Sequence, residues 1–566
     1  MTFNVTIQPG KSIVKGEPLD QEAGVGSLTL GGYLKDLVDK YANNEAAVFH
    51  SEDGVERWTY RQMWDKSVAV AKALLASGVG KGTRVGILMT NRLEFLSATF
   101  GTSLAGGIAT TMSTFSTSAE LETLLKNSCC SVLLLEPNVL KKNFSQMVAE
   151  LVPEIASGAP GTIQSVDYPY LRSVVSLADT DHGAIESWNA WLDKGRSISE
   201  EFVSATAALV EPSDPGFLFF SSGSTGKPKG ILSAHRGVCL QLWRCAHWLQ
   251  LDEGTRCWSA NGFFWSGNFT FGIGGTFSSG GCMVLQRTFQ PEEALDLMEK
   301  EKVGYIFAWP HQWAQLVDAK NWLDVDLSSL RFIDTHSPVA QHPTINSTWS
   351  DATSAYGNTE TFTLVSAFPS GTADEVRAGS HGIPLAGNTI RIVDPLTGET
   401  VALGERGEIA VKGPTLMMGY IGIPLEESLD DEGYLRTGDG GYFDEEGRLI
   451  WEGRLNDIIK TGGANVSPVE IDAVIAQCPG VKITKTVGIA DDLLGELVVA
   501  CIVVADGATV TEADVKAFAK QTLASFKVPR RVLFFAEEEL ETTGSAKVKS
   551  SELKKLAAER LEAQSA

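Results

Sequence analysis

Between residue 60 and about residue 340, short apolar runs alternate with longer segments of helical periodicity. The runs at 85–89, 131–136, 217–221 and 303–308 are compatible with buried strands, and segments such as 60–75 place apolar residues at helical spacing. Strands that alternate with helices in this way are typical of parallel sheets covered by helices. The pattern therefore predicts an α/β fold for the greater part of the chain.

The pattern changes near residue 380 and again after residue 454. From about 380 to 450, Gly and Pro recur every few residues between short runs, which predicts small antiparallel hairpins and a barrel-like subdomain. The segment 454–566 alternates helical and strand patterns and is long enough to fold as a separate α+β unit. We therefore expect a large N-terminal domain over 1–453 and a small, mobile C-terminal domain over 454–566.

Composition excludes several classes of protein. The 566 residues contain 47 Lys and Arg against 70 Asp and Glu, a net charge of −23, which disfavours nucleic acid as a partner. A hydrophobic fraction of 43% excludes wholesale disorder. No basic, apolar leader is visible and Ser and Thr interrupt the uncharged stretch 95–119, so we expect neither a secretory signal nor a transmembrane segment. Eight scattered cysteines without zinc spacing predict a reducing compartment, and we expect a cytoplasmic location.

The segment SSGSTGKPKG at 221–230 is the most specific local feature. It carries hydroxyls at Ser221, Ser222, Ser224 and Thr225, glycines at Gly223, Gly226 and Gly230, and lysines at Lys227 and Lys229. Glycines let backbone N–H groups turn toward an anion, hydroxyls add donors and lysine adds charge, which favours a phosphate cradle. The alternative is a flexible loop in solvent.

Two further segments place carboxylates in turns. In SAYGNTET, Tyr356 could lie flat on a base, Thr359 could bond a phosphate oxygen and Glu360 could hold Mg²⁺, although a solvated loop is the alternative. In LRTGDGG, Asp439 could accept both hydroxyls of a ribose, although a hairpin turn uses the same residues. Two more segments are the glycine-containing run at 453–471 and TTGSAKVK around Lys547, which alone indicates only a solvated basic helix face.

In this order and at this spacing, the five segments resemble the signature of the acyl-CoA synthetase, firefly luciferase and peptide-synthetase adenylation superfamily. The resemblance covers the chain from about residue 28 to residue 555. It implies that a carboxylic acid attacks the α-phosphate of Mg-ATP to give an acyl-adenylate and pyrophosphate, and that a thiol then displaces AMP. The implied cofactors are ATP, Mg²⁺ and CoA. The first step gathers negative charge, so catalysis must rest on the placement of cations and donors.

The resemblance also assigns roles to individual residues. The implied ATP and AMP contacts are Ser221, Ser222, Gly223, Ser224, Thr225, Gly226, Lys229, Ser337, Pro338, Tyr356, Gly357, Thr359, Asp439 and Arg454. Glu360 and Thr225 are implied at the metal, and the implied catalytic residues are Lys547, Thr225, Glu360 and Lys460. In this scheme Lys547 serves adenylation, Lys460 serves thioester formation, and Gly462 and Gly463 border the CoA channel.

The chain departs from the family pattern at several positions. Asn456 occupies a hinge position that is usually Asp or Lys, and Ala546 precedes Lys547 where Gly is usual. The adenine loop reads Thr335-His336-Ser337-Pro338 in place of paired glycines before Ala-Pro, and Trp265 stands where a gating His is frequent. None of these departures removes a charge that the chemistry requires. They affect the expected hinge and the shapes of the adenine and acyl pockets.

One segment limits the class of carboxylic acid that we expect as the substrate. No charged residue lies between Arg256 and Arg287, a segment that is rich in aromatic residues and glycine and that the family uses in part for its acyl pocket. We expect Phe264, Trp265, Phe269 and Gly274 to line this pocket. An uncharged wall favours a hydrophobic acid over an amino acid, whose ammonium group would need a carboxylate partner. Ordinary core packing is the alternative, and fatty, aryl and steroid-like acids all stay open.

Three functions therefore stay open at the level of sequence. The first is an acid–thiol ligase that uses CoA. The second is an adenylating enzyme that delivers its acyl group to a carrier protein or an amine. The third is a non-catalytic nucleotide- or acyl-binding relative, which the lysines of both half-reactions, Lys460 and Lys547, argue against. A homodimer is compatible with all three.

Overall fold

The computed structural model describes residues 4–52, 54–222, 228–349, 355–377, 379–457, 459–461, 464–491, 494–523, 527–540 and 550–565. The chain divides into two compact units. The large unit comprises Met1–Asn4, Lys15–Asn388 and Lys412–Gly433, and the small unit comprises Val5–Val14, Thr389–Val411 and Tyr434–Ala566. The domain boundary expected at residue 454 falls inside the small unit, and the division into domains 1–453 and 454–566 stays a prediction.

Helices cover both units. The α-helices are α1 (Leu30–Tyr41), α2 (Tyr60–Ala76), α3 (Leu93–Leu104), α4 (Ser118–Ser128), α5 (Phe144–Leu151), α6 (Trp188–Lys194), α7 (Glu200–Ala208), α8 (His235–Leu249), α9 (Ser266–Asn268), α10 (Gly275–Ser278), α11 (Pro291–Lys300), α12 (Pro310–Val317), α13 (Asp374–Arg377), α14 (Pro468–Ile475), α15 (Glu512–Ala519) and α16 (Ser550–Ser565). A π-helix spans Phe269–Gly274. Short 3₁₀ turns lie at Leu19–Gln21, Pro153–Ala156, Gly195–Ser197, Pro338–Gln341, Thr359–Thr361, Leu425–Glu427 and Glu537–Glu539.

The strands are mostly short. They are β1 (Thr6–Ile7), β2 (Ile13–Lys15), β3 (Glu45–Ser51), β4 (Gly54–Thr59), β5 (Arg84–Leu88), β6 (Ile108–Thr111), β7 (Val132–Leu135), β8 (Asn138–Val139), β9 (Lys142–Asn143), β10 (Ser173–Ser176), β11 (Ile185–Ser187), β12 (Pro215–Ser222), β13 (Pro228–Ala234), β14 (Arg256–Ser259), β15 (Cys282–Leu285), β16 (Tyr305–Phe307), β17 (Ala355–Tyr356), β18 (Ser366–Ala367), β19 (Ile383–Pro384), β20 (Thr389–Val393), β21 (Gly407–Lys412), β22 (Gly419–Tyr420), β23 (Leu435–Phe443), β24 (Leu449–Arg454), β25 (Ile459–Thr461), β26 (Ala464–Val466), β27 (Val481–Asp491), β28 (Gly495–Val504) and β29 (Arg531–Phe534).

Two largely parallel sheets organise the large unit. The first has the order β11-β10-β7-β5-β6-β12-β13-β22 and is parallel from β11 to β12, with β13 and β22 antiparallel at one side. The second has the order β16-β14-β15-β3-β4 and is parallel except for β4. The central strands β6, β7 and β15 are buried along their whole length, as strands covered on both faces must be. The α/β prediction is confirmed.

Helices α1, α2, α3 and α8 contribute to the main core of the large unit. Helix α2 begins with a capping box, in which Thr59 Oγ1 accepts from the Gln62 N–H at 3.2 Å and the Thr59 N–H donates to Gln62 Oε1 at 2.8 Å. Helix α3 is buried at every position except Glu94, which explains the uncharged stretch of sequence there as core packing. Within the described ranges, no helix combines the length and apolar character that crossing a lipid bilayer requires.

The small unit contains two sheets. One has the order β1-β2-β20-β21-β23-β24 and includes the predicted hairpins, with β21, β23 and β24 antiparallel. The other has the order β26-β25-β28-β27, with β29 parallel to β28. Residues of α14 and α15 pack on the second sheet in one apolar cluster, and residues of α16 pack in another. The α+β character predicted for this part of the chain is confirmed.

Candidate functional site

The hairpin of β12 and β13 carries the predicted phosphate segment. Ser221 lies opposite Lys229 and Ser222 lies opposite Pro228, so the two ends of the predicted phosphate segment lie side by side. Strand β12 runs parallel to β6 and ends at Ser222, at the carboxyl end of the strand, where open α/β sheets usually bind ligands. The predicted residues Gly223, Ser224, Thr225 and Gly226 lie outside the described residues.

A tyrosine joins this hairpin to the predicted metal carboxylate. The Tyr420 hydroxyl donates to Glu360 Oε1 at 2.8 Å, and the Lys229 ammonium lies 5.1 Å from the centroid of the Tyr420 ring. The Met417 N–H donates to the Glu360 backbone oxygen at 2.7 Å. Strand β22, which carries Tyr420, pairs with β13, which carries Lys229. Two segments separated by about 130 residues in the sequence thus meet through Tyr420, which the sequence analysis missed.

Glu360 sits in a tightly wound turn. Asn358 Oδ1 accepts from the Thr361 N–H at 3.0 Å and caps the 3₁₀ turn Thr359–Thr361. The next two residues, Phe362 and Thr363, have φ of +47° and +87°, a region that side chains with a Cβ rarely adopt. At Gly357 an added Cβ would lie 2.0 Å from the Thr363 oxygen, so glycine is the residue that the turn accepts. Backbone strain of this kind is concentrated at functional sites.

Buried side chains from other elements hold the strained turn. Gln241 on α8 is 1% exposed, and its Nε2 donates to the Phe362 oxygen at 2.9 Å and to the Leu364 oxygen at 2.8 Å. Thr270, in the π-helix, shares a hydrogen bond of 2.9 Å with the Thr363 hydroxyl. A π-helical turn is itself frequent at functional sites. Neither Gln241 nor Thr270 carries a local sequence signal that could have marked it as a support.

The predicted adenine contacts lie in two places of the large unit. Tyr356 is 5% exposed in β17, and its backbone oxygen accepts from the Val365 N–H at 2.9 Å. Ser337 is buried and caps the 3₁₀ turn that follows, accepting from the Val339 N–H at 3.2 Å, while Pro338 is exposed. Thr359 is half-buried. The nucleotide contacts of these four residues stay predictions.

The Glu360 carboxylate suits a magnesium ion that binds together with a nucleotide. Glu360 is half-buried, and in the described ranges no group of three His, Cys, Asp or Glu side chains gathers to hold a metal. Mg²⁺ commonly binds one or two carboxylates and takes its other ligands from water and substrate phosphates. A single carboxylate beside the phosphate hairpin fits that mode. The second implied ligand, Thr225, lies outside the described residues.

The predicted ribose carboxylate lies in the small unit. Asp439 on β23 is 4% exposed and lies opposite Arg454 on β24, whose Nε is 3.0 Å from Asp439 Oδ1. Arg454 also donates to the Thr437 oxygen at 2.7 Å, and Thr437 Oγ1 accepts from the Asp439 N–H at 3.2 Å. Glu408 on β21 accepts from the Gly438 N–H at 2.9 Å and so stabilises the same turn. Glu408 and Thr437 were not identified from the sequence.

The lysine expected to serve thioester formation is exposed. Lys460 lies in β25, and its N–H donates to Glu496 Oε2 at 2.7 Å, beside Thr461 and Gly495, which pair β25 with β28. The Glu496 side chain therefore anchors the backbone of Lys460 next to this pair. The predicted residues Gly462, Gly463 and Lys547 lie outside the described residues.

The predicted acyl-pocket residues divide into two kinds. Phe264 packs on Trp265, with ring centroids 5.3 Å apart, and edge-on against Phe115 at 5.7 Å, and Phe115 is 51% exposed. Phe269, in contrast, is fully buried against Phe217, with centroids 4.7 Å apart.

Gly274 makes a close helix contact. An added Cβ there would lie 2.8 Å from Leu242 Cδ2 and 2.9 Å from Leu242 Cα, so the glycine lets the chain approach α8. The contacts of Phe269 and Gly274 are those of core packing, whereas Phe264 packs on an exposed aromatic ring and Trp265 packs on Phe264. A role for any of the four in binding an acid stays a prediction.

The predicted phosphate hairpin, metal carboxylate and ribose carboxylate lie on a mixed α/β scaffold, and their roles stay predictions. The sequence matches the AMP-binding enzyme family over residues 34–421 and the AMP-binding enzyme C-terminal domain over residues 470–547. The chain belongs to the AMP-binding enzyme family. It is an AMP-forming ligase that uses ATP.

Individual relatives match over nearly their whole length. YngI of Bacillus subtilis, provisionally named an acyl-CoA synthetase, is 28% identical over 533 residues, covering 93% of this chain and 96% of YngI. The mitochondrial medium-chain acyl-CoA ligase ACSF2 of Macaca fascicularis is 27% identical, covering 92% of this chain and 85% of its own. The crystal structure of the anthranilate CoA ligase AuaEII in complex with anthranoyl-AMP is 25% identical, with a TM-score of 0.77, covering 94% of this chain and 98% of its own.

Proposed function

We propose that the chain is an acid–thiol ligase that joins a hydrophobic carboxylic acid to CoA. An oxygen of the acid attacks the α-phosphorus of ATP, the bond to the bridging oxygen breaks, and pyrophosphate leaves with that electron pair. The sulfur of the CoA thiolate then attacks the acyl carbonyl, and AMP leaves. The cluster of Lys229, Tyr420 and Glu360 carries the proposal, because it sets a cation and a carboxylate beside one phosphate-type hairpin.

Each half of the nucleotide has its own set of residues in this proposal. In the large unit, the Lys229 ammonium attracts the phosphates, and Glu360, with Thr225, would hold Mg²⁺, which supplies charge neutralisation when bound. Tyr356 and the Ser337–Pro338 turn would contact adenine. In the small unit, the buried Asp439 carboxylate accepts ribose hydroxyls while Arg454 balances its charge. The residues bind and orient, which is most of what adenylation requires of a protein.

The nature of the acid and the choice of CoA rest on two kinds of support. The segment between Arg256 and Arg287 has no charge, and within it Phe264 packs on the exposed ring of Phe115 and on Trp265. Relatives over nearly the full length carry names of acyl-CoA synthetases or ligases, among them medium-chain and anthranilate enzymes. We therefore propose an aliphatic or aromatic hydrophobic acid, with CoA as acceptor. A cytoplasmic location and a homodimer are part of the same proposal.

Pyrophosphate exchange with a panel of carboxylic acids tests the first half-reaction. The panel runs from short to medium and long fatty acids, through benzoate-like acids, to amino acids as the polar controls. Exchange with hydrophobic acids and CoA-dependent release of AMP are the expected results. Exchange with amino acids alone would contradict the hydrophobic pocket. If the acyl group is transferred equally well to an amine in the absence of CoA, the amine and not CoA is the acceptor.

The two lysines of the C-terminal segment separate the half-reactions. Lys547→Ala should lower adenylate formation by about 10²–10³, the usual cost of losing one preorganised donor, and leave thioester formation from a supplied acyl-adenylate nearly intact. Lys460→Ala should do the reverse. Lys520→Ala, an exposed lysine at the end of α15, is the control and should change neither. Equal loss of both half-reactions in either lysine variant would contradict the assignment.

A further inference from the structure

The cation and the carboxylate of the large-unit site do not neutralise each other. Among the described residues, no ion pair joins Lys229 to Glu360, although both contact the same tyrosine. The Glu360 carboxylate instead takes a neutral partner, the Tyr420 hydroxyl, at 2.8 Å. The Lys229 ammonium lies over the ring of Tyr420, 5.1 Å from its centroid, within the range of a cation–π contact. Tyr420 therefore contacts the cation with its ring and the anion with its hydroxyl.

This arrangement has consequences for both charged groups. A carboxylate bonded to Lys or Arg loses part of its attraction for a metal ion, whereas a neutral hydroxyl donor leaves the full negative charge in place. The hydrogen bond occupies one lone pair of Oε1 and fixes the plane of the carboxylate. A lysine held against an aromatic face likewise keeps its charge and its donors for an arriving phosphate.

The backbone supports Tyr420 in this position. Strand β22 holds it at the edge of the eight-stranded sheet, where Ile231 pairs with Tyr420 and Leu232 pairs with Gly419. Glu360 is fixed from the other side, because its backbone oxygen accepts from the Met417 N–H at 2.7 Å, three residues before Tyr420. The segment 417–420 thus contacts Glu360 twice, at its backbone oxygen through Met417 and at its carboxylate through Tyr420.

We propose that Tyr420 is a positioning residue for the metal–nucleotide complex. Its hydroxyl orients the Glu360 carboxylate toward Mg²⁺, and its ring keeps the Lys229 ammonium off that carboxylate and available to phosphate. The proposal deepens the proposed function, on which it rests for the identity of the metal and the nucleotide. It assigns the hydroxyl a role in orienting Glu360. A tyrosine that contributed only packing would not have this role.

The test measures binding and separates the two functions of the side chain. Calorimetric titration with α,β-methylene-ATP, at a series of fixed Mg²⁺ concentrations and without metal, is applied to the wild-type chain, Tyr420→Phe and Tyr420→Leu. Tyr170→Phe, which alters an exposed tyrosine, is the matched control. Thermal unfolding of each variant accompanies the titrations, so that a loss of fold is not taken for a loss of site.

Tyr420→Phe keeps the ring and removes the hydroxyl. We expect it to weaken binding of the metal–nucleotide complex about 10-fold, the effect of losing a hydrogen bond to a charged group, and to leave metal-free binding unchanged. Tyr420→Leu should weaken metal-free binding as well, because Lys229 can then pair with Glu360. In a Glu360→Gln background the Tyr420→Phe change should have no further effect on the Mg²⁺ dependence.

The outcomes distinguish this proposal from the proposed function. If Tyr420→Phe shows the wild-type Mg²⁺ dependence, or lowers metal-free and metal-bound affinity equally, the positioning role is wrong. The same holds if its effect persists undiminished in the Glu360→Gln background. If the wild-type chain shows Mg²⁺-dependent nucleotide binding that Tyr420→Phe weakens, yet activates none of the acids in the panel, the role of Tyr420 stands and the ligase assignment fails.

Discussion

Two predicted binding carboxylates, Glu360 in the large unit and Asp439 in the small unit, are held in different ways. Glu360 is bonded by Tyr420, 60 residues away, and its turn is held by Gln241, 121 residues from Phe362. The Asp439 carboxylate pairs with Arg454 on the adjacent strand of its hairpin, and the Asp439 N–H donates to Thr437 Oγ1 two residues away. The partner of the Glu360 carboxylate thus comes from a distant segment of the chain, whereas Arg454 lies on the strand next to Asp439.

The two carboxylates also differ in the charge of their hydrogen-bond partners. Asp439 is almost fully buried with an arginine at 3.0 Å, so its charge is compensated and it suits a neutral ligand such as a hydroxyl. Glu360 is half-buried beside a neutral hydroxyl, so its charge is available to a cation. The comparison teaches that the nature of the partner, more than burial, decides which ligand a carboxylate can serve.

Neutralising Glu360 should have the largest effect. Glu360→Gln keeps the shape of the side chain and removes the charge that would hold Mg²⁺, so pyrophosphate exchange should fall by about 10²–10³. Raising the Mg²⁺ concentration should recover part of the loss. Glu427→Gln, an exposed glutamate in the nearby 3₁₀ turn, is the control and should leave exchange unchanged. A fall of less than about threefold in Glu360→Gln would mean that the two carboxylates do not differ as described.

Neutralising Asp439 should have a smaller and more selective effect. Asp439→Asn should raise KM for ATP about 10- to 100-fold, since hydrogen bonds to a charged acceptor are lost, with little change in kcat. The penalty should shrink for 2′-deoxy-ATP and 3′-deoxy-ATP, which lack one of the hydroxyls that Asp439 would accept. Kinetics with the three nucleotides measure this. An equal penalty on all three would show that Asp439 does not contact the ribose.

The same contrast explains what the sequence could and could not predict. Asp439 lies in a Thr-Gly-Asp turn, whose chemistry pointed either to a ribose contact or to a plain hairpin turn, and Arg454 on the next strand was assigned its role only by the family resemblance, so both ribose contacts stay predictions. Glu360 was identified by its motif. Its supports, Gln241 and Tyr420, were not, because a buried glutamine on a helix and a tyrosine on a two-residue strand have no local pattern that reveals a distant partner.

The fold likewise has features that the local sequence predicts and features that it does not. The parallel sheets follow from continuous apolar runs between helical segments, because strands covered on both faces must be apolar throughout. The pairing of the N-terminal strand β2 with β20, about 380 residues further along the chain, has no such signal. The antiparallel pairing of β22 with β13, where Ile231 lies opposite Tyr420, is equally non-local, and it is this pairing that brings Tyr420 to Lys229.

The support of the Glu360 turn can be removed without touching the carboxylate. Gln241→Met preserves the volume of the side chain but leaves the Phe362 and Leu364 oxygens without their donor, so we expect a loss of about 2 kcal/mol in the free energy of unfolding. Denaturant unfolding measures the loss, with Gln146→Met on the exposed face of α5 as the control. If Gln241→Met unfolds like the wild type, the strained turn is held by something other than this glutamine.

The hydroxyl of Thr437 supports the backbone of Asp439 from two residues away, and its removal should cost least. Thr437→Val is nearly isosteric and deletes a hydroxyl that donates to the Ile409 oxygen at 2.7 Å and accepts from the Asp439 N–H at 3.2 Å. Because Arg454 still holds the carboxylate, we expect a loss of about 1 kcal/mol of stability and a change in KM for ATP below about threefold. Thr509→Val, at an exposed loop position, should stay within about 0.5 kcal/mol of the wild type. If Thr437→Val lost as much free energy of unfolding as Gln241→Met, the contrast between the two carboxylates would fail. Both would then depend equally on a single buried hydrogen-bonding side chain.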